Sequence, residues 1–229
     1  MRFFVLTLFP GMFDGVLHHS MLKRAIQHGH LEVVLYNLRD FAEGKLKKIT
    51  DDTPYGGGGG MVMKPEPIFA AVEHIVAHHQ LQAYQVIYLT PEGTPLTQNL
   101  AKSLAQEKAL ILLCGHYEGV DERVRMALVH QEISMGDYVL TGGELAAMVL
   151  IDVVARMIPA VVGSPQSVVN DSFYGRLLDY PQYTRPQNFR GLTVPEVLLS
   201  GNHKQIEEWR RQEALKRTKQ RRPDLLIDD

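Results

Sequence analysis

The chain has 229 residues, of which 45% are hydrophobic, with 24 Lys and Arg against 26 Asp and Glu. This composition is typical of a globular protein with a substantial core, and it excludes a chain that is disordered throughout. The formal net charge of −2 argues against nucleic-acid binding through bulk positive charge. A single cysteine, Cys114, excludes an intrachain disulfide and favours a reducing compartment, so we expect a cytoplasmic protein.

Neither a signal peptide nor a membrane-spanning helix is predicted. The apolar run 3–9 is short, ends at a Pro-Gly pair and lacks a cleavage pattern. The most apolar later stretch, 145–162, contains Asp152 and Arg156, whereas a spanning helix needs about 20 predominantly apolar residues. We therefore expect a soluble protein with no membrane partner.

Short apolar runs alternate with helical patterns in the first half of the chain. Four runs rich in Val, Ile and Leu predict buried parallel strands over residues 3–8, 31–36, 84–89 and 109–114. Apolar residues at helical spacing predict helices over residues 68–79, preceded by Pro67, and over 97–106. This alternation predicts an α/β fold with a mostly parallel sheet.

The character of the sequence changes in the second half. Residues 145–158 are apolar nearly all round and predict a buried helix behind a Gly-Gly pair. Residues 161–173 mix Gly, Pro, Ser, Asn and Asp without periodicity, which indicates a linker. Two helices are predicted after it, one beginning near Pro195 and one over residues 203–220.

Positive charge is concentrated near the end of the chain. Between residues 209 and 223 a single acid, Glu213, accompanies seven basic residues: Arg210, Arg211, Lys216, Arg217, Lys219, Arg221 and Arg222. Such a segment indicates either a surface that contacts phosphates or an ordinary solvated helix face.

The most conspicuous motif is Pro54-Tyr55 followed by five glycines. It is not a phosphate-binding loop, because no Gly-Lys-Ser/Thr follows, and it is not a dinucleotide fingerprint, because it does not follow the first strand. The glycines indicate either a flexible loop or a backbone that approaches a ligand closely.

Three small-residue loops each lie beside an apolar run, over residues 90–93, 115–119 and 135–144. Any one of them could be an ordinary tight turn. In open parallel sheets, however, ligands bind beyond the carboxyl ends of the strands. Together the three loops predict one shared pocket whose glycines let backbone groups contact a flat ligand.

Other site chemistries have less support. His74 and His78 are four residues apart on a predicted helix, but no carboxylate or thiolate cluster accompanies them, so we predict no metal site. The chain has no Gly-x-Ser-x-Gly motif of a serine hydrolase. Asp152 and Arg156 form either an intrahelical ion pair or part of a site, and Asp171 is either a turn residue or a catalytic one.

The motifs together resemble the TrmD family of bacterial tRNA (guanine-N1-)-methyltransferases, of the SPOUT class. The resemblance covers essentially the whole chain. It runs through the Leu-Phe-Pro and Met-Phe motifs of residues 8–13, the Tyr-Gly motif at 55–58, the three loops, Asp-Ser-Phe at 171–173, Tyr-Thr-Arg-Pro at 183–186, residues 191–195 and the Trp-Arg pair at 209–210.

The resemblance implies a fold, a reaction and partners. It implies a deep trefoil knot in the α/β domain (residues 1–162), a flexible catalytic linker (163–173) and a small all-α tRNA-binding domain (174–229). It implies S-adenosyl-L-methionine (AdoMet) as methyl donor, N1 of guanosine 37 in tRNA, beside the anticodon, as acceptor, and a homodimer with active sites between subunits. The family is also linked to magnesium (Mg2+), although no metal site is visible in the sequence.

Site residues follow from the resemblance by position. Asp171 matches the family's proposed general base, which would remove the N1 proton of guanine, and Arg156 matches the arginine that contacts guanine. The family's cofactor pocket maps to Tyr88, Leu89, Thr90, Pro91, Gly115, Tyr117, Glu118, Gly136, Tyr138, Leu140, Gly142 and Gly143. His116 and Ala146 stand where some relatives carry Arg and Pro. A non-catalytic RNA-binding module and a nucleotide-binding oxidoreductase are the competing hypotheses.

Overall fold

The structure, a computed structural model, describes residues 1–42, 49–163 and 171–227. The chain divides into two compact units, Met1–Gly163 and Ser164–Asp229. Most of the predicted linker, residues 164–170, lies outside the described residues. Within the described part of the chain, no helix combines the length and the apolar character that crossing a membrane requires.

A five-stranded parallel sheet forms the centre of the first unit, with strand order β2-β1-β6-β5-β7. Its strands are β1 (Arg2–Thr7), β2 (Glu32–Asn37), β5 (Gln85–Pro95), β6 (Ala109–Cys114) and β7 (Gln131–Ser134). The prediction of a mostly parallel α/β sheet is confirmed. The strand β7 was not predicted, because its four residues, Gln131–Ser134, show no long apolar run.

Strand β5 runs further than the predicted 84–89. Its pairing with β7 is interrupted after Leu89 and resumes at Thr94, which pairs with Ile133. Residues 90–93 therefore form a bulge inside a longer strand and not a loop that ends it. Bulges of this kind re-aim the chain at functional sites.

Six α-helices in the described residues of the first unit accompany the sheet: α1 (Asp14–Leu17), α2 (Ser20–Gln27), α3 (Pro65–His78), α4 (Gln98–Leu104), α5 (Glu122–Leu128) and α6 (Glu144–Ala155). Helix α3 begins at Pro65, earlier than predicted, because a proline at the first position loses no hydrogen bond there. Helices α1, α2 and α5 were not predicted. The apolar helix predicted over 145–158 is α6, and most of its residues are buried.

Side chains alternate between the two faces of the sheet and form two cores. Phe3 and Val5 of β1 enter one core, which contains residues of α2, α4 and α6. Phe4 and Leu6 enter the other core, which contains residues of α3. Because helices cover both faces of the sheet, residues that point to either face are apolar. The strands therefore appear in the sequence as continuous apolar runs.

A short antiparallel hairpin, β3 (Asp51–Asp52) and β4 (Val62–Met63), carries the glycine motif between its strands. The amide of Met63 donates to the carbonyl of Gly119, and the amide of Glu118 donates to the carbonyl of Met61. The glycine motif is thus anchored at its base to the 115–119 loop.

The second unit contains helices α7 (Glu196–Leu199) and α8 (His203–Arg221) and a hairpin of β8 (Asn188–Phe189) and β9 (Leu192–Thr193). The prediction of an all-α unit is therefore not confirmed. The two residues that join the strands, Arg190 and Gly191, both have positive φ, at 56° and 84°. Two consecutive residues of this kind fit the two-residue turn that matches the twist of a β-hairpin.

Candidate active site

A cavity of about 310 Å³ lies beside the bulge of β5 and the carboxyl ends of β6 and β7. Eleven of the twelve residues assigned to the cofactor pocket line it: Tyr88, Leu89, Thr90, Pro91, Gly115, Tyr117, Glu118, Tyr138, Leu140, Gly142 and Gly143. The three loops predicted to share one pocket therefore do so. Gly136 is outside the lining, but its neighbours Met135 and Tyr138 belong to it.

Glycines allow the walls of this cavity to approach one another. A Cβ on Gly143 would lie 2.6 Å from the Cα of Cys114, and a Cβ on Gly142 would collide with the imidazole of His116. The amide of Gly143 donates to the carbonyl of Gly115 at 2.9 Å. The loop that precedes α6 thus packs directly against the loop that follows β6, with no room for larger side chains.

The floor of the cavity is apolar and its rim is polar. Tyr88 is buried, and this burial raises the pKa of its phenol, so the hydroxyl keeps its proton at neutral pH. Tyr117 and Tyr138 are more than half exposed at the rim, with 53% and 58% of their surfaces accessible. This combination suits a flat ligand with one apolar face and several polar edges.

A buried carboxylate lies beside the cavity, and sequence reasoning missed it. Glu144, the first residue of α6, is only 1% exposed. It accepts hydrogen bonds from the hydroxyl of Thr7 at 2.6 Å and from Nε2 of His116 at 2.7 Å. His116 lines the cavity, whereas Thr7 and Glu144 do not. The only signal in the sequence was an acid directly after a Gly-Gly pair, at the start of a helix.

A second polar cluster, also missed, surrounds Arg125 of α5. Its guanidinium makes a two-point interaction with Glu132 of β7 at 2.8 Å and donates to Glu92 of the β5 bulge at 2.7 Å. Arg125 and Glu92 both line the cavity, and the guanidinium lies 6.0 Å from the centre of the Tyr88 ring. Arg125 therefore ties the bulge to the neighbouring strand and helix.

Arg156 and Asp171, the two residues assigned to catalysis, belong to different units. Arg156 directly follows α6, and its amide donates to the carbonyl of Asp152 at 3.1 Å. Asp171 begins the described part of the second unit, and its carbonyl accepts from the amide of Tyr174. The roles of both residues stay predictions.

The basic segment is helical up to Arg221, and several of its charges are paired. Arg210, Arg211 and Lys216 each pair with a glutamate three residues earlier, at 2.6–3.6 Å. Arg217 donates to the carbonyl of Asp179. These surface pairs are weak and can exchange with phosphates.

The described residues contain no group of three or more His, Cys, Asp and Glu that could hold a metal ion. His74 and His78 are stacked face to face, with ring centres 5.3 Å apart and planes 11° from parallel. His74 also packs with the rings of Phe41 and Tyr36.

Comparison with known proteins decides the family. The family model "tRNA (Guanine-1)-methyltransferase TrmD" matches residues 1–228. The chain belongs to this family. It is 59% identical to a tRNA (guanine-N(1)-)-methyltransferase of Moorella thermoacetica, over 99% of this chain and 90% of the relative. Proteins of the same name from Geotalea uraniireducens and Clostridioides difficile are 58% and 53% identical, over 100% and 98% of this chain and 91% and 97% of theirs.

Proposed function

We propose that this protein transfers a methyl group from AdoMet to N1 of guanosine 37 in tRNA. The observation that carries the proposal is the cavity: residues from three separate chain segments, assigned by resemblance to one cofactor pocket, line one space at the carboxyl edge of the sheet. Family membership supports the reaction type and the tRNA substrate.

The residues present fit AdoMet. The close packing of Gly142 and Gly143 against the opposite loop leaves backbone groups and an apolar floor facing the cavity, which suits an adenine ring. Glu118 lines the same cavity and supplies negative charge for a cationic ligand, whereas Glu92 is paired with Arg125. When bound, AdoMet supplies an electrophilic methyl group on a sulfonium.

Asp171 and Arg156 would act on the guanine. At neutral pH the N1 nitrogen carries a proton, which has to leave as N1 forms its bond to carbon. The carboxylate of Asp171 would accept this proton, and general-base catalysis of this kind contributes about 10²–10⁴-fold. The guanidinium of Arg156 would stabilise the negative charge that develops on O6.

The second unit would hold tRNA. We assign residues 1–162 to AdoMet binding, 163–173 to a catalytic linker and 174–229 to tRNA binding. The exposed basic residues of α8 (Arg211, Lys216, Lys219 and Arg221) support the last assignment, since phosphate contacts need only a local excess of positive charge. The near-neutral net charge of the whole chain does not oppose it.

Three finer features complete the proposal. Leu145 and Val149 of α6 are each 48% exposed, and this apolar stripe supports a homodimer with active sites between subunits. Contact between the 115–119 and 136–143 loops supports a trefoil knot in this region. We place the reaction in the cytoplasm with its tRNA substrate, and we assign no residues to magnesium.

Labelled AdoMet and two tRNAs test the proposal. We expect label in a tRNA with guanosine at position 37 and none in the same tRNA with adenosine there. AdoMet binding measured by calorimetry is the control for a competent protein. Binding without transfer to the guanosine-bearing tRNA would contradict the proposed reaction.

A further inference from the structure

Glu144 connects three parts of the first unit through its two carboxylate oxygens. Oε1 accepts from Thr7 at the end of β1, and Oε2 accepts from His116 in the loop after β6. Glu144 itself begins α6, directly after the cavity-lining Gly142 and Gly143. We call this hydrogen-bonded set the Thr7 chain; it consists of Thr7, Glu144 and His116.

The hydrogens in the Thr7 chain have one consistent arrangement. The amide of Phe9 donates to Oγ1 of Thr7 at 2.9 Å, and Thr7 in turn donates its one hydroxyl proton to Glu144. An ionised carboxylate only accepts hydrogen bonds, so the proton between Glu144 and His116 belongs to Nε2 of the imidazole. The carboxylate of Glu144 therefore holds the hydrogen on Nε2 of His116 and orients the ring.

Gly142 lies directly on this hydrogen bond. A Cβ placed on Gly142 would lie 2.7 Å from Oε2 of Glu144 and would also collide with the His116 ring. The backbones of His116 and Gly142 pair as an isolated antiparallel bridge. Moving the imidazole would therefore move the backbone at Gly142, and with it one wall of the cavity.

We propose that Glu144 is a positioning residue, which acts through His116 to fix the two opposed loops that bind AdoMet. The inference rests on the proposed function. A simpler role for Glu144, stabilising the start of α6 as an acid in its first turn, would need neither Thr7 nor His116. The two roles differ in what happens when Thr7 is changed.

Thr7 allows a clean test because it is fully buried but does not line the cavity. Thr7→Val keeps the shape of the side chain, removes the donor to Glu144 and leaves the Phe9 amide without its acceptor. Thr7→Ser keeps both hydrogen bonds and is the conservative rescue. Ile75→Val, in the core on the other face of the sheet, is the control for a small loss of stability in the same unit.

AdoMet affinity, measured by calorimetry, is the first readout, with thermal unfolding to confirm that each variant is folded. We expect Thr7→Val to raise the AdoMet dissociation constant about tenfold. Without its hydrogen bond from Thr7, the buried carboxylate of Glu144 would no longer hold His116, and with it the cavity wall at Gly142, in place. Thr7→Ser and Ile75→Val should stay within about twofold of the original chain. A folded Thr7→Val chain with unchanged affinity would overturn the inference.

A second variant covers the case in which Thr7→Val does not fold. The amide of Glu144→Gln has one acceptor oxygen where the carboxylate has two, so it can no longer accept hydrogen bonds from both Thr7 and His116. We expect the nitrogen-15 signals of His116 to shift in the variant, with weaker AdoMet binding. An unchanged spectrum and affinity would refute the positioning role. If the original chain bound no AdoMet, the proposed function would fail first and this inference with it.

Discussion

The ring of Tyr88 lies directly against Gly115, which follows the neighbouring strand β6. A Cβ on Gly115 would lie 3.0 Å from both the ring edge and the hydroxyl oxygen of Tyr88. Most Cβ contacts in proteins are longer than this, so a side chain at 115 would force the buried phenol, which lines the cavity, to shift by a few tenths of an ångström. This pair of residues shows how the sequence of the loops sets the shape of the site.

Gly115→Ala should therefore weaken AdoMet binding more than it lowers stability. The added methyl group pushes Tyr88 towards the cavity, and overpacking of this kind costs about 1–3 kcal/mol. Calorimetry should show a higher dissociation constant. Gly15→Ala is the matched control, because nothing lies within 4 Å of a Cβ at that position. Equal AdoMet affinity for the Gly115→Ala chain and the control would show that this contact does not shape the binding site.

Arg125→Met should destabilise the first unit. The substitution leaves the carboxylates of Glu132 and Glu92 without their shared partner, and we expect a loss of about 1–2 kcal/mol for this partly buried network. Urea unfolding measures the loss. Arg123→Met should cost less, since Arg123 is 68% exposed and pairs with Asp121 alone among the carboxylates described. A larger effect at Arg123 than at Arg125 would contradict the assignment.

Stability should decrease in mildly acidic solution because of His79. Burial, and then the neighbouring His78, lower the pKa of the His79 imidazole below 6.5 in the folded chain. Between that lowered pKa and 6.5 the unfolded chain binds more protons than the folded chain. The free energy of unfolding therefore falls as the pH drops below 6.5, whereas above pH 6.5 His79 does not affect it. The Tyr36 hydroxyl, 2.7 Å from Nε2, would remain bonded in His79→Gln.

Urea midpoints between pH 5 and 8 test this directly. We expect His79→Gln to have a shallower pH dependence than the original chain over this range. The charged and titratable neighbours that also act on His79, namely Glu32, Arg2 and His74, are unchanged in the variant. Identical slopes for the two chains would assign the acid sensitivity to other groups.

Asp171→Asn should remove most turnover while leaving AdoMet affinity unchanged. Loss of a general base is expected to reduce kcat by about 10²–10⁴-fold. Single-turnover methylation and calorimetry separate the two effects. Asp224→Asn, which changes an exposed carboxylate paired with Arg222 in the same unit, is the control and should keep kcat. An active Asp171→Asn enzyme would exclude Asp171 as the base.

Arg156→Gln should also lower kcat. Removing one group that stabilises developing charge typically costs about 10²–10³-fold. Because AdoMet binding is assigned to other residues, its dissociation constant should change little. A large change in AdoMet affinity with unaltered kcat would instead place Arg156 among the residues that bind the cofactor.

The parallel sheet could be predicted from the sequence because its strands are buried on both faces. Residues 109–114 are apolar without interruption, and the structure has strand β6 over the same residues. Strand β7 escaped prediction because only Ile133 and Ser134 of its four residues are buried. The β8–β9 hairpin escaped because its turn is Arg-Gly, which lacks the usual Asn-Gly or Asp-Gly signal.

The candidate pocket could be predicted from three glycine-rich loops, but its polar supports could not. Thr7, His116 and Glu144 meet only in the folded chain, where 137 residues separate Thr7 from Glu144. No local pattern in the sequence marks such a contact, and the sequence around Glu144 indicates only a polar residue at the start of an apolar helix. The pairing of Arg125 with Glu92, 33 residues away, was hidden for the same reason.

Nucleoside analysis of the tRNA product, combined with mapping of its oligonucleotide fragments to locate the methyl group, tests the central claim most directly. The purified protein is incubated with AdoMet and a tRNA that carries guanosine at position 37, and the digested RNA is examined by mass spectrometry. The proposed function predicts 1-methylguanosine at position 37 and at no other position. A methyl group on a different atom or nucleotide, or none at all with AdoMet bound, would contradict it.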